Sequence, residues 1–286
     1  MAYDWSLLRH SLPLVYREAN NICLTIDRDR RSWSGQKFDF DEGSFFHFIN
    51  EIDIDRKIQI IQEDFHISGL TPMQNEVRQR NKMAEHLGKG GWHIQLDCDE
   101  YFLEFGVFVK FLKGLPGRKR TRVNMACPLI TLFKKTSGGF FYVVPAPGVV
   151  EFIQIATQEP SYEYGRRNGN FNICTDFFIL HQSWARTETD VRIKVENWGH
   201  RLDFDGEAYV QKWLRLDASN FKTFKNFHPL QPEIWPALNF IRAADEAELI
   251  LHPPCISFPY SKWELRLKNN RNLAQMKSLV PRFLPW

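Results

Sequence analysis

The sequence lacks several things that would have decided its class at once. It has no CxxC pair, no internal repeat, and no strong charge of either sign, with a formal net charge of +3. None of its apolar runs approaches the roughly 20 residues that a membrane-spanning helix needs. The small net charge gives no argument for nucleic acid as a partner. Its five cysteines, Cys23, Cys98, Cys127, Cys174 and Cys255, are odd in number and scattered. That spacing argues against a structural zinc site and predicts buried, reduced thiols. The opening residues, "MAYDWSLLRHSLPLVYREANN", carry no signal-peptide organisation. These absences together predict a cytoplasmic protein, at most peripheral at the inner face of a membrane.

What is present is an alternation. Residues 4 to 19 read as a helix troubled by Pro13. "ICLTI" (22 to 26) reads as a strand, "SFFHFINEI" (44 to 52) as a helix and "KIQIIQEDF" (57 to 65) as a second strand. Residues 71 to 91 give the clearest helix: Thr71 and Gln74 can form a capping box, Pro72 suits the first turn, and Gly88 or Gly90 can end it. Its apolar stripe of Met73, Val77, Ala84 and Leu87 passes through Arg80, and a buried arginine needs a partner. "GWHIQLD" (91 to 97) reads as a third strand. Helix and strand in this order predict an α/β domain with a largely parallel sheet.

The second half reads differently. Strands are expected at 122 to 135 and 138 to 147, joined as a hairpin by "TSGG", and again at 148 to 157 and 172 to 181. Helices are expected at 187 to 200 and 205 to 216. The division predicted is a catalytic domain over 1–228, with a nucleotide-binding half (1–102) and an acceptor half (103–228). A helical, basic extension over 229–286 would pack on it. Residues 259 to 286 hold six Lys or Arg against one acid, with Trp263 and Trp286. Such a stretch can lie on anionic lipid or pack across the domain.

The third strand ends in "LDCDEYF", with Asp97, Asp99 and Glu100 within four positions. Open parallel sheets bind ligands beyond the carboxyl ends of their strands. Two carboxylates at such an end repel each other unless a cation lies between them. Mn²⁺ or Mg²⁺ suits oxygen ligands and also binds phosphate oxygens, so a metal bridging these acids to a diphosphate is expected. There it would act as a Lewis acid on the leaving group.

The segment "RQRNKMAEHLGKGGWHIQLDCDEYF" resembles GT-A glycosyltransferases, in particular those similar to family 2. In these an Arg-Asn pair on a helix precedes a strand ending in Asp-x-Asp-Glu. The resemblance is strongest over residues 57 to 102 and weak after 120. It implies a GT-A-like nucleotide-diphospho-sugar transferase fold, with a mostly parallel central sheet and a mixed second half. It implies transfer of a sugar from a nucleotide donor, commonly a UDP-sugar, to a glycan or lipid-linked acceptor. On this resemblance Asp97 and Asp99 match the metal- and diphosphate-binding pair. Arg80 and Asn81 match the helix pair near the nucleotide, and Asp27 the acid that contacts the nucleoside. The family begins with a strand, whereas this chain opens with a helix. Either that strand lies outside this sequence or the first elements are rearranged, which leaves the uracil contacts open.

His181, ending "FFILH", is expected as a third metal ligand, with His200 as its rival. Asp176, inside "NICTDFFIL", is expected as a buried catalytic base beside Asp99; a structural salt bridge would equally account for it. The basic stretches at 117 to 122 and 164 to 170 could hold a phosphate, although a solvated surface explains most of such charges. Trp33 could stack on a base or sugar. Two other readings stand beside the transferase: a nucleotide-sugar binding module without turnover, and a phosphatase with Asp97 as nucleophile. The second normally carries Thr or Val where this chain has Tyr101.

Overall fold

The computed structural model describes residues 3–117 and 122–274. The expected alternation is there over the first hundred residues. A short 3-10 turn, Trp5–Leu7, leads into α1 (Leu8–Tyr16). Pro13 removes one main-chain bond from this helix. The helix is held by Trp5, Leu8 and Leu12, which are buried with Leu24, Ile26, Phe45 and Phe48. β1 (Ile22–Asp27), α2 (Glu42–Ile52) and β2 (Ile58–Glu63) follow. Asp41 caps α2 by accepting from the Ser44 N–H at 2.9 Å. α3 (Pro72–Leu87) starts with the expected capping box between Thr71 and Gln74 and stops at Gly88.

β1 and β2 pair in parallel, Ile22 opposite Ile58 through Asp27 opposite Glu63. There the expected parallel sheet ends. The third strand, β3, is only His93–Ile94 and pairs antiparallel with a strand of the second half. The cause is local. The Gln95 N–H is taken by the Ile155 carbonyl, and the chain then turns at Asp97, whose carbonyl accepts from the Glu100 N–H at 3.1 Å. The Asp97 N–H donates in return to the Glu100 carboxylate at 2.9 Å. "LDCDE" is therefore a closed turn between two short strands, not the end of a long one.

After that turn come β4 (Glu100–Phe102) and α4 (Phe105–Gly114), a helix whose Phe105, Phe108, Val109 and Leu112 are buried. β5 (Val123–Thr136) is the spine of the second half. β6 (Gly139–Val144), β7 (Phe152–Thr157), β8 (Phe171–Cys174) and β9 (Ile179–His181) all pair with it. One strand was expected over 172 to 181; the structure divides it into β8 and β9. α5 (Glu188–Asn197) and α6 (Gly206–Leu214) then cover the far end of β5. They bury Trp184 and Trp213 in one cluster with Phe133.

The segment after 228, expected as a helical extension, supplies a strand. β10 (Ala237–Ile241) pairs antiparallel with β6 and forms an edge of the sheet. α7 (Glu246–Leu251) and α8 (Lys262–Lys268) follow it. Trp235 and Leu238 are buried against Phe133, so this segment belongs to the same core. The remainder of the basic tail, with Trp286, and most of the basic stretch at 117 to 122 lie outside the described residues.

The architecture is mixed α/β with a central eight-stranded sheet. Among the described residues, five of its strand pairings are antiparallel and two parallel. No helix among the described residues is long and apolar enough to cross a membrane.

Candidate active site

The two sheets do not join. Between them lies a cavity of about 1240 Å³. Part of its lining is apolar, with Leu8, Leu24, Met83, Leu87, Trp92 and Phe105. Another part is polar and includes Asp97, Asp99 and Glu100 of the turn.

Each acid of that turn meets at least one cation, and Arg166 is shared between Asp97 and Glu100. Asp97 accepts from Arg80 at 3.1 Å and from Arg166 at 3.0 Å. Asp99 accepts from Arg186 at 2.6 Å and from Lys194 at 3.2 Å. The Glu100 carboxylate takes Arg166 through both oxygens, at 2.9 and 2.8 Å. Burial opposes ionisation of Asp97, but Arg80 and Arg166 hold its carboxyl well below the usual range. Lys194, His181 and Arg186 do the same for Asp99. For Glu100 burial wins over Arg166, and its carboxyl is raised.

The turn is supported from several elements. Arg80 comes from α3, where Glu76, one turn earlier, accepts from it at 2.9 Å. Arg166 comes from a tight loop in which Gly165 has φ +54°, a left-handed conformation that glycine adopts without strain. Arg186 donates its Nε–H to the Ser183 carbonyl at 3.0 Å and bonds Asp4. Lys194, from α5, donates to the same Ser183 carbonyl at 3.1 Å. Ser183 has φ +35°, an unfavourable backbone conformation for a serine that this pair of bonds helps to hold.

The other expected site residues are now placed. Arg80 lines the cavity as anticipated. Asn81 does not; its side chain accepts from the Tyr162 N–H at 2.8 Å and donates to the Tyr162 carbonyl at 2.9 Å. It pins the loop that carries Arg166. Asp27 stands at the cavity wall but is 3 % exposed, and its oxygens accept from the N–H groups of Asp29, Arg31, Phe65 and His66. It therefore ties the ends of β1 and β2 together, and a nucleoside would have to compete with four backbone donors for it. Trp33 lines the cavity and donates its Nε1–H to Gln79.

Asp176 is a correction. It was expected to be buried within a strand, but it sits in the break between β8 and β9, is exposed, and does not line the cavity. The three-ligand metal cage is a second correction. Among the described residues there is no group of three or more His, Cys, Asp and Glu side chains that could hold an ion. His181 lies 3.5 Å from Asp99. Asp99, however, is closed in by Arg186 and Lys194, with its side chain 6 % exposed. Of the three acids of the turn Asp97 alone is partly open, its side chain 41 % exposed, and it lines the cavity. Its donor chemistry suits a hard ion that completes its shell with phosphate oxygens, the usual way Mg²⁺ is held.

Four contributors were missed or undervalued in the sequence: Arg166, Arg186, Lys194 and Glu151. Lys194 carried the same signal as Arg80, a cation on an otherwise apolar helical face beside Val191 and Val195. Glu151 stood in the apolar run "GVVEFIQIAT". Arg166 lies in the basic stretch 164 to 170, where the sequence suggests a phosphate contact or a solvated surface but not its acidic partners; nothing in the local sequence marks Arg186, because its partners come from distant segments.

Comparison with protein-family models and with curated proteins gave no match.

Proposed function

We propose that the protein is a glycosyltransferase that binds a nucleotide-diphosphate sugar, a UDP-sugar in the first instance, with the diphosphate at the Asp97 turn. The observation that carries this reading is the partly open Asp97 carboxylate backed by buried Arg80 and Arg166, in the polar part of the lining of a cavity large enough for such a donor. Arg166 supports it further: its Nε and Nη1 are buried with no hydrogen-bond partner among the described residues. Orphaned buried donors are costly, and a phosphate oxygen reaching them after a small rotation would relieve that cost.

Charge decides how the diphosphate must arrive. Asp4, Glu76, Asp97, Asp99 and Glu100 are five carboxylates against the four cations Arg80, Arg166, Arg186 and Lys194. A bare diphosphate gains no net attraction from that cluster. Mn²⁺ or Mg²⁺ bound to the donor supplies the missing positive charge, and Asp97 is the residue to hold it. The ion would stabilise negative charge on the departing diphosphate. Trp33, Trp198 and His200 line the same cavity and offer flat faces for the base or sugar.

The test is UDP binding measured by calorimetry with Mn²⁺ and with EDTA. The expected result is binding that strengthens by at least about tenfold, roughly 1.4 kcal/mol, when the metal is present. No binding under either condition overturns the proposal.

A further inference from the structure

An acceptor hydroxyl attacks an anomeric carbon well only if something takes its proton. With Asp176 on the surface, the base must come from the cavity wall. Most of the wall's acids near the turn are committed. Asp27 serves four backbone N–H groups. Glu76 serves Arg80, Asp99 serves Arg186 and Lys194, Glu100 serves Arg166, and Asp97, paired with two arginines and partly open, is the acid assigned to the diphosphate's metal ion.

Glu151 differs. Among the described residues its one side-chain hydrogen bond is at Oε2, which accepts from the Trp235 Nε1–H at 3.0 Å. No cation pairs with it among the described residues, and it lines the cavity. Burial raises its carboxyl above the ordinary range, while the Trp235 bond and the nearby His181 oppose that rise. The main chain fixes its position: the Leu129 N–H donates to the Glu151 carbonyl at 2.9 Å, immediately before β7.

Register places it relative to the turn. On β5 Leu129 is opposite Ile179, and Thr131 is opposite His181. His181 is in turn opposite Glu100. Residues paired across a sheet share a face, so Glu100, His181 and Glu151 all lie on the cavity side, where the cavity lining also has them. Glu151 stands on the far side of β5 from His181, two strand spacings or roughly 10 Å across the sheet.

Resting on the transferase reading above, we infer that Glu151 is the base that activates the acceptor. Its Oε1 takes the acceptor hydroxyl's proton as that oxygen bonds to the anomeric carbon. The bond from this carbon to the diphosphate breaks, and its electron pair leaves with the nucleoside diphosphate. Attack from the side opposite the leaving group inverts the anomeric configuration.

The experiment uses the full chain and three probes: UDP-glucose, UDP-galactose and UDP-N-acetylglucosamine with Mn²⁺, water serving as acceptor. UDP binding and UDP release are measured for the native protein, Glu151→Gln and Glu151→Ala. Both variants are expected to bind UDP as the native protein does and to release it at least about 100-fold more slowly. Azide, a nucleophile with no proton to lose, is expected to restore release in Glu151→Ala. Release within a few-fold of native, or a loss that azide does not repair while UDP still binds, overturns the base assignment. So does a native protein that binds UDP yet releases none from any probe. A native protein that binds no UDP instead overturns the transferase reading itself.

Discussion

Asp99 is the more enclosed of the turn's two aspartates and meets three basic side chains. It lies 2.6 Å from Arg186, 3.2 Å from Lys194 and 3.5 Å from His181, almost wholly out of water. Removing one member of a buried ion pair strands the rest, at a cost of about 3–5 kcal/mol. Asp99→Asn should therefore destabilise the fold by about that amount in urea unfolding. The pH dependence has a definite sign. The folded-state pKa of Asp99 is depressed, so its contribution is complete above the ordinary carboxylate pKa of about 4 and is lost as pH falls below it. The gap in stability between native protein and Asp99→Asn should thus be full at neutral pH and narrow in acid. A gap that widens in acid would contradict the pairing. Asp176 gives the opposite expectation. Being exposed and outside the cavity, Asp176→Ala should change stability by no more than about 0.5 kcal/mol and leave UDP binding unaltered.

At the scale of elements, two joints hold the site in place. Asp27 fastens the end of β1 to the chain leaving β2 by accepting from the Phe65 N–H at 2.8 Å and the His66 N–H at 3.3 Å. Asp27→Ala leaves those N–H groups without a partner and should cost about 3 kcal/mol, read by thermal or urea unfolding. The β5–β6 hairpin depends on Gly139, which has φ +146° and packs so closely that a Cβ would fall on the Ile241 carbonyl oxygen of β10. Gly139→Ala should destabilise by about 2 to 3 kcal/mol, since backbone and not a flexible side chain would have to give way. The elements were legible in the sequence where the signals were local. The capping box at Thr71 and Gln74, the strand "ICLTI" and the helix over 44 to 52 need only neighbouring residues. β3 was overread because "GWHIQLD" has strand-like alternation, while its actual length is set by Ile155 and by the Asp97–Glu100 turn. The break between β8 and β9 was missed for a similar reason. "NICTDFFILH" is apolar enough for one strand, but its two ends pair with different parts of β5.

At the scale of the whole molecule, a parallel pair of strands and a mostly antiparallel sheet both contribute to a cavity whose lining is part apolar and part polar. The cluster of acids at 97 to 100 and the buried Arg80 were visible in the sequence, but as the end of a strand and not as a closed turn. Partner choice was not: Arg166, Arg186 and Lys194 lie 69, 87 and 95 positions after Asp97 or Asp99, separations read from the bonds that join them. The most direct measurement is UDP titration of the native protein and Asp97→Asn in the presence of Mn²⁺. The account predicts binding to the native protein that is at least about tenfold weaker in Asp97→Asn. Equal affinity in the two proteins would contradict it.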